Sequence, residues 1–297
     1  MKKTTFKFAT LAMAFVMIFA CSSCEKEGVF NPKQKIKRIF EQEGKHLEQE
    51  WTWNKNLLEK IDYYWGITLT CTERYTYDKD KVVKVEGSYE GEYSSYSYYY
   101  KITYDGAKYK RIDLYGDNTP EESYVFEYKG NKISKITVSV YNYYGWKGGF
   151  LSSIFPKETI SIMEKLAKSE KKSKSDVYTY TITYTYNGAN IKEQVFTETD
   201  EDWIGSLKLA FDKYDTKVNN PFYKYFAEGM PVTSKNMPLE VNIIETESEG
   251  GHTESWSYKL QYTYVTNKEN FPTEIIIREI YEDGDIYEDR LYYEYEK

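Results

Sequence analysis

Bulky and polar residues alternate along this chain in short runs, and one run recurs five times. The copies begin at Trp51, Tyr75, Ile102, Phe126 and Tyr184 and read WTWNKNLLEKI, YTYDKDKVVKV, ITYDGAKYKRI, FEYKGNKISKI and YTYNGANIKEQ. Each opens bulky, polar, aromatic, which is period-two alternation in strong strand formers. A turn dipeptide follows: Asn54-Lys55, Asp78-Lys79, Asp105-Gly106, Lys129-Gly130 or Asn187-Gly188. Asp-Gly and Asn-Gly tolerate the positive φ that tight hairpin turns demand. The second half of each copy returns to apolar residues, so each copy predicts a β-hairpin. Repetition of the whole pattern marks an internal repeat, which constrains architecture more firmly than a single motif does.

Counting starts from the anchor aromatic of each copy, Trp53, Tyr77, Tyr104, Tyr128 or Tyr186. Five residues on stand Leu58, Val82, Tyr109, Ile133 and Ile191; eight on stand Ile61, Val85, Ile112 and Ile136, with Gln194 in the last copy. A basic residue precedes the eighth position in four copies: Lys60, Lys84, Arg111 and Lys135, against Glu193 in the fifth. Positions five and eight fall on opposite faces of a regular strand. Either both faces of the sheet are covered, or a bulge re-aims one residue.

The first four anchors lie roughly 24 to 27 residues apart, room for two strands and two turns. Echoes follow at Phe211-Asp212 and Tyr264. The terminal RLYYEYEK looks like a half unit, and Lys35 to Phe40 like the second half of an earlier one. Residues 33–60 are rich in Glu, Lys, Gln and Leu and have helical composition, but the repeat favours strands there. The expectation is an all-β antiparallel meander of about sixteen strands, either an open curved sheet or sandwich-like. One or two short helices would be inserted. One insert spans about 145–176, with Pro156 opening an amphipathic helix through Ile160, Met163, Leu166 and Ala167. The second spans about 212–238 and holds Asn219-Asn220-Pro221, a turn signal, then Phe222 to Phe226, an aromatic helical turn.

The N-terminus adds an address. Lys2 and Lys3 precede a dozen apolar residues from Phe8 to Ala20, the length of a signal-peptide core rather than a membrane span. This run meets Ala20-Cys21-Ser22-Ser23-Cys24, which resembles a bacterial lipobox. Cys24 is the expected lipidated residue, with Cys21 the alternative register. That divides the chain into a signal peptide over 1–23, a tether over 24–34 and a single repeat-built domain over 35–297. Processing at Cys24 leaves only Cys71, so no disulfide framework is expected; Cys71 reads as a small core residue.

Composition narrows the chemistry. The chain carries 33 Tyr and 6 Trp in 297 residues at a net charge of −7. Tyrosine packs its ring and keeps its hydroxyl wet, which suits half-exposed sheet surface. No basic stripe suggests nucleic acid, and Lys165 to Lys174 reads as a solvated loop. His46 and His252 stand alone, without zinc-ligand spacing or a nucleophile to activate. Neither a phosphate loop nor a dinucleotide fingerprint is present. Two acidic clusters, Asp200-Glu201-Asp202 and Glu282-Asp283-Gly284-Asp285, lack the ordered ligand spacing of a calcium loop. No catalytic, cofactor-binding or metal residue is therefore expected. The remaining candidate is aromatic. Tyr96, Tyr98 and Tyr100 in GSYEGEYSSYSYYYK could stack on sugars or protein side chains as a binding face, or simply fill the sheet.

With the lipobox, the Y-x-Y-[DN]-x-G units, FDKYDTKVNNPF, SKNMPLEV and the late FPTEI, the chain resembles a family of Gram-negative lipoproteins of unknown function with YD-like strand repeats. The resemblance covers most of residues 35–297 and implies an outer-membrane lipoprotein, facing the periplasm or the cell surface. Its motifs are turn and packing motifs and bring no catalytic residue. The function expected is non-enzymatic binding or scaffolding, with the membrane as one partner through the lipid and a glycan or protein as the other. A hydrolase using two carboxylates and an envelope carrier of an apolar ligand are the alternatives.

Overall fold

The computed structural model describes residues 27–41, 46–90, 95–141, 177–199, 203–227, 230–231 and 233–297. Cys21, Cys24, the helix expected after Pro156 and Asp200-Glu201-Asp202 lie outside the described residues. The strands are β1 (Ile36–Glu41), β2 (His46–Asn54), β3 (Leu57–Trp65), β4 (Thr68–Asp78), β5 (Lys81–Glu90), β6 (Ser95–Asp105), β7 (Lys108–Gly116), β8 (Thr119–Lys129) and β9 (Lys132–Val140). There follow β10 (Tyr178–Asn187), β11 (Asn190–Thr199), β12 (Trp203–Asn219), β13 (Phe226–Ala227), β14 (Met230–Pro231), β15 (Asn236–Glu249), β16 (His252–Thr266), β17 (Pro272–Tyr281) and β18 (Ile286–Tyr295). Within residues 33–60, β1, β2 and the start of β3 stand where the composition suggested a helix, as the repeat favoured.

Sixteen of these strands form a closed antiparallel barrel in chain order, while β13 and β14 make a separate two-stranded ribbon. The sheet is therefore neither open nor a sandwich. The seam explains why. Ile36 lies opposite Tyr295 and Ile39 opposite Tyr293. Within a complete repeat, Val82 lies opposite Tyr77 and Val85 opposite Tyr75 in the same way. The half unit that ends the chain and the half unit that opens it thus combine into one repeat, split between the termini. Pairing β1 with β18 satisfies the hydrogen-bonding groups that two free sheet edges would expose.

A bulge resolves the two-face problem. In each of the five copies the register shifts just before the turn, between Thr52/Trp53, Thr76/Tyr77, Thr103/Tyr104, Glu127/Tyr128 and Thr185/Tyr186. One residue of the returning strand, such as Val83 or Lys110, is left without a partner. Positions five and eight then both point inward: Leu58, Ile61, Val82, Val85, Tyr109, Ile112, Ile133 and Ile136 are all buried. The anchor aromatics tie neighbouring units together at the same level. Trp53 Nε1 donates to the Ile36 carbonyl at 2.7 Å, Tyr77 to Leu58 at 2.9 Å, Tyr104 to Val82 at 2.6 Å and Tyr128 to Tyr109 at 3.1 Å. Tyr264 and Tyr295 do the same to Pro238 and Pro272. Each ring packs inside and its polar tip serves a backbone acceptor beside a bulge, where the ladder is interrupted.

The turns carry positive φ at their first loop residue. Glycine holds it at Gly106, Gly130 and Gly188, but lysine does at Lys55 (φ 54) and Lys79 (φ 60). A side chain in the left-handed region costs about 1 kcal/mol. Lys55→Gly and Lys79→Gly are each expected to raise unfolding free energy by about 0.5–1 kcal/mol, read from the midpoint of a urea melt.

Two further expectations are corrected. The second insert is shorter than 212–238, because β12 runs through Asn219 and β15 begins at Asn236. Its aromatic stretch is not helical. Asn220 Oδ1 accepts from Phe222 N at 2.9 Å and Phe222 O from Tyr225 N at 2.7 Å, which makes a tight turn leading into β13. No helix occurs among the described residues.

The outer wall is polar. Cross-strand and same-strand ion pairs run around it: Arg38–Glu50 (2.8 Å), Lys60–Asp62 (2.5 Å), Arg111–Asp113 (2.6 Å), Lys208–Glu193 (2.7 Å) and Arg290–Glu288 (2.7 Å). The basic residue before position eight of the repeat supplies Lys60, Lys84, Arg111 and Lys135 to this surface. Threonines 179, 181, 183 and 185 alternate with inward-facing residues along β10. A transmembrane barrel needs the reverse, an outward apolar band about 25 Å tall.

Candidate functional site

The inner wall concentrates the aromatic residues and the buried carboxylates. At its centre is Glu73 of β4, buried between Cys71 and Tyr75 on the inward register. Its Oε2 accepts from Tyr63 at 3.0 Å and Tyr75 at 2.9 Å, and its Oε1 from Tyr98 at 2.9 Å. Burial pushes the Glu73 carboxyl above the ordinary glutamate range, while the three hydroxyls pull it down. Cys71 Sγ lies 3.5 Å from the Tyr98 hydroxyl, so it is the core-facing residue expected.

Tyr96, Tyr98 and Tyr100 share one face of β6, as their spacing required, but that face is the inner one. Tyr98 and Tyr100 are buried, the Tyr96 and Tyr98 rings stack at 6.1 Å, and Tyr96 donates to Glu121. Two glycines make room for them. A Cβ on Gly87 would sit 2.1 Å from the Tyr98 ring, and one on Gly116 would fall 1.8 Å from Glu121 Oε1. The pairing of tyrosine with carboxylate recurs. Tyr124 donates to Glu122, Tyr281 to Glu279 at 2.9 Å, and Glu279 is buried. Nothing singled out Glu73 in the sequence. Its parity with Tyr75 and Tyr77 was the available signal, since alternate residues of a strand share a face.

The insert between β12 and β15 enters the barrel as a plug. Phe222 and Tyr225 are fully buried, and Phe226 nearly so. Phe222 meets Trp51 of β2 at 6.1 Å and Tyr293 of β18 at 6.0 Å. Tyr225 meets Trp51 at 5.2 Å and shares a 2.5 Å hydrogen bond with the Tyr75 hydroxyl. Phe226 packs edge-on against Tyr100 of β6 at 5.4 Å. One short segment thus touches strands around the barrel, including Tyr75 of the Glu73 network.

Part of the expected tether docks at the same end. Glu27 N donates to Ala107 O and Val82 N to Gly28 O, both at 3.0 Å. The Glu27 carboxylate accepts from Tyr109 N at 2.8 Å and the Tyr128 hydroxyl at 2.5 Å, and burial raises it above the ordinary range. Gly28 has φ 75, and a Cβ there would strike the Tyr104 hydroxyl at 1.9 Å. Phe30 is buried against Trp53 at 5.7 Å and Tyr225 at 5.2 Å.

The remaining candidates are peripheral. His46 and His252 are exposed at strand starts, and His252 lies 3.7 Å from Glu254. Glu282 to Asp285 is the hairpin turn between β17 and β18: Gly284 takes φ 94 and Asp285 N is held by Asp283 at 3.1 Å. No group of three or more metal-ligating side chains is placed to hold an ion among the described residues.

The sequence matches no protein-family model and no curated protein. Among solved structures, a porin-like protein from Bacteroides vulgatus ATCC 8482 aligns over 89% of this chain and 99% of its own, at 13% identity and a TM-score of 0.45. A porin-like protein from Bacteroides uniformis ATCC 8492 aligns over 91% and 100%, at 10% identity and a TM-score of 0.39. Likeness this distant carries no argument about this chain, and the barrel rests on its own hydrogen-bond register.

Proposed function

We propose that this protein is a water-facing barrel held at the outer membrane by a lipidated Cys24, where it acts by binding or scaffolding. The observation that carries the reading is the polarity of the wall. Ion pairs and threonines face outward while the buried tyrosines and isoleucines face inward, which suits a barrel standing in water. A charged side chain on a lipid face costs about 2–4 kcal/mol at the bilayer midplane, and this wall repeats such residues strand after strand. A barrel of that kind reaches a membrane through an anchor, and the lipobox before residue 25 supplies one. The resemblance to surface and periplasmic lipoproteins points the same way.

Binding is favoured over catalysis because the carboxylates at the centre of the aromatic network and at the docked tether are committed. Glu73 is tied to three hydroxyls and Glu27 to a backbone amide and a hydroxyl. At the rim away from the tether, Trp65, Ile67 and Leu69 project around the β3–β4 turn, with Ile67 fully exposed. Apolar surface of this sort suits contact with a glycan or a protein.

Globomycin is expected to leave the full-length precursor unprocessed in cells, and Cys24→Ala to abolish acyl-chain labelling while Cys21→Ala preserves it. Labelling that survives Cys24→Ala and is lost in Cys21→Ala would move the anchor to Cys21, and no labelling of the wild type would remove it. A hydrolase screen beside a glycan array tests the activity: turnover lost on a single carboxylate substitution would replace the binding reading with an enzymatic one.

A further inference from the structure

The seam leaves one stretch of strand edge uncovered. β1 holds 6 residues and β18 holds 10. Their pairing runs from Ile36↔Tyr295 to Glu41↔Leu291, so β18 continues past β1 from Arg290 to Ile286. Over that stretch its strand partners among the described residues lie on β17 alone, Ile276 to Ile280. The connection from Glu41 to His46 is too short to fill the gap. Those two residues face each other, so the four between them rise by at most two per arm, ~7 Å. That reaches the level of Arg290 and Asp289, and Ile286 to Glu288 lie beyond it. The ladder fixes where their backbone groups point. Tyr281 N donates to Asp285 O at 3.0 Å at the head of the hairpin, and the register from there to Tyr292 is regular. Alternate residues of a strand address opposite neighbours, so odd-numbered residues of β18 serve β17 and even-numbered ones turn away from it. The seam agrees, since Glu296 N donates to Lys35 O at 2.9 Å. Ile286 and Glu288 therefore hold N–H and C=O groups toward the gap, with no strand of the described residues opposite. The stretch is open to solvent, with Ile286 61% and Tyr287 60% exposed. It carries neither a proline nor a bulge, two devices that blunt an edge. Its charged side chains are engaged along the wall, Glu288 with Arg278 at 2.9 Å and Arg290 with Glu274 at 3.1 Å.

We propose that this edge binds an extended, basic segment of a partner protein, which adds to the wall as a strand beside β18. The inference rests on the binding reading above and makes the partner a protein rather than a glycan. The class of partner follows from the chemistry of the edge: a row of backbone donors and acceptors is matched by the backbone of another strand. Its charge follows from the turn that heads the same hairpin, where Glu282, Asp283 and Asp285 are exposed. Space is available as well. The pairing of β2 with β3 stops at Gln49↔Tyr63, so β3 also outruns its neighbour on the far side of the gap. Three strand spacings separate β18 from β3, roughly 14 Å, which leaves room for an added strand between them. The exposed Trp65 and Ile67 stand at the far bank, where apolar side chains of the incoming segment would find partners.

The test uses the chain beginning at Glu25, which keeps every residue described in the fold, and a labelled peptide of ten residues in which valine and lysine alternate. The peptide is expected to bind by fluorescence anisotropy and to slow amide hydrogen exchange over residues 286–288. A peptide of alternating valine and glutamate is expected not to bind. The fully N-methylated valine–lysine peptide keeps the side chains and charges but has no N–H, and is expected to bind at least roughly tenfold more weakly. Glu288→Pro removes an N–H that faces the gap and none that serves β17, and is expected to weaken binding by a similar factor. Glu288→Ala loses the same surface ion pairs but keeps the N–H, and is expected to stay within about twofold of wild type. No binding of the valine–lysine peptide would overturn the proposal, as would undiminished binding of its N-methylated form or protection confined to other strands. Self-association of the chain that Glu288→Pro abolishes would replace the partner protein with a second copy. The hydrolase screen above decides the binding reading by turnover and this experiment decides the edge by protection, so either can fail alone.

Discussion

Glu73→Ala is expected to lower the unfolding free energy by about 3–5 kcal/mol. The substitution removes the acceptor that the hydroxyls of Tyr63, Tyr75 and Tyr98 share, leaving Tyr75 its bond to Tyr225 and Tyr98 only the weak Cys71 thiol. Each buried hydroxyl left unpaired costs about 1–3 kcal/mol, and part of that is recovered by rearrangement and by the desolvated charge that disappears. Glu73→Gln keeps an acceptor in place and is expected to cost about 1 kcal/mol. The pair also gives a pH signature. Burial raises the carboxyl in the folded state, so the stability it contributes is fully present below the pKa of an unfolded glutamate. It is lost as pH rises through the higher folded value. Wild type should therefore lose stability relative to Glu73→Gln across that window. Urea melts of both proteins over a pH series decide the matter, and parallel curves would refute the assignment of a raised carboxyl.

Phe222→Ala is the second large effect, with an expected loss of about 3–5 kcal/mol. The ring is fully buried and wedged between Trp51, Tyr225 and Tyr293. Removing it leaves a hole where the plug meets two distant strands, and close-packed walls relax only in part. Tyr115→Ala provides the contrast. Its ring stacks on Tyr99 at 4.8 Å on the outer wall, where water can replace it, so about 1 kcal/mol is expected. Comparable losses at both positions would mean that the plug is peripheral to the core.

Hairpins were legible in the sequence because their signals are local. Alternation, a turn dipeptide and a fixed spacing sit within a dozen residues, and all five copies fold as read. The bulge was legible only as a contradiction between positions five and eight. The sequence carries no separate mark for it, since Glu59, Val83, Lys110, Ser134 and Lys192 share no chemistry. Closure was present as two half units, but their pairing joins Ile36 to Tyr295, and nothing local distinguishes a split repeat from two frayed ends. The same limit hid the plug. Its aromatics suggested a helical turn when read alone, and only the distant partners Trp51, Tyr75 and Tyr100 explain them. Alternation puts Tyr96, Tyr98 and Tyr100 on one face of β6, but which side of a wall that face occupies is decided by closure.

The split repeat sets the order in which the molecule can mature. A chain synthesised from its N-terminus delivers β1 early and β18 last. Interior hairpins such as β4–β5 pair residues close in sequence and can form as they emerge. The seam has to wait until Leu291 to Tyr295 has been released. Until then β1 and β17 both present bare edges, and the bond from Trp53 to Ile36 is made on a strand supported from one side only. Loop closure across the whole chain is the slowest kind of contact to form. The interval between release of the last strand and seam formation is therefore when a chaperone would have most to protect.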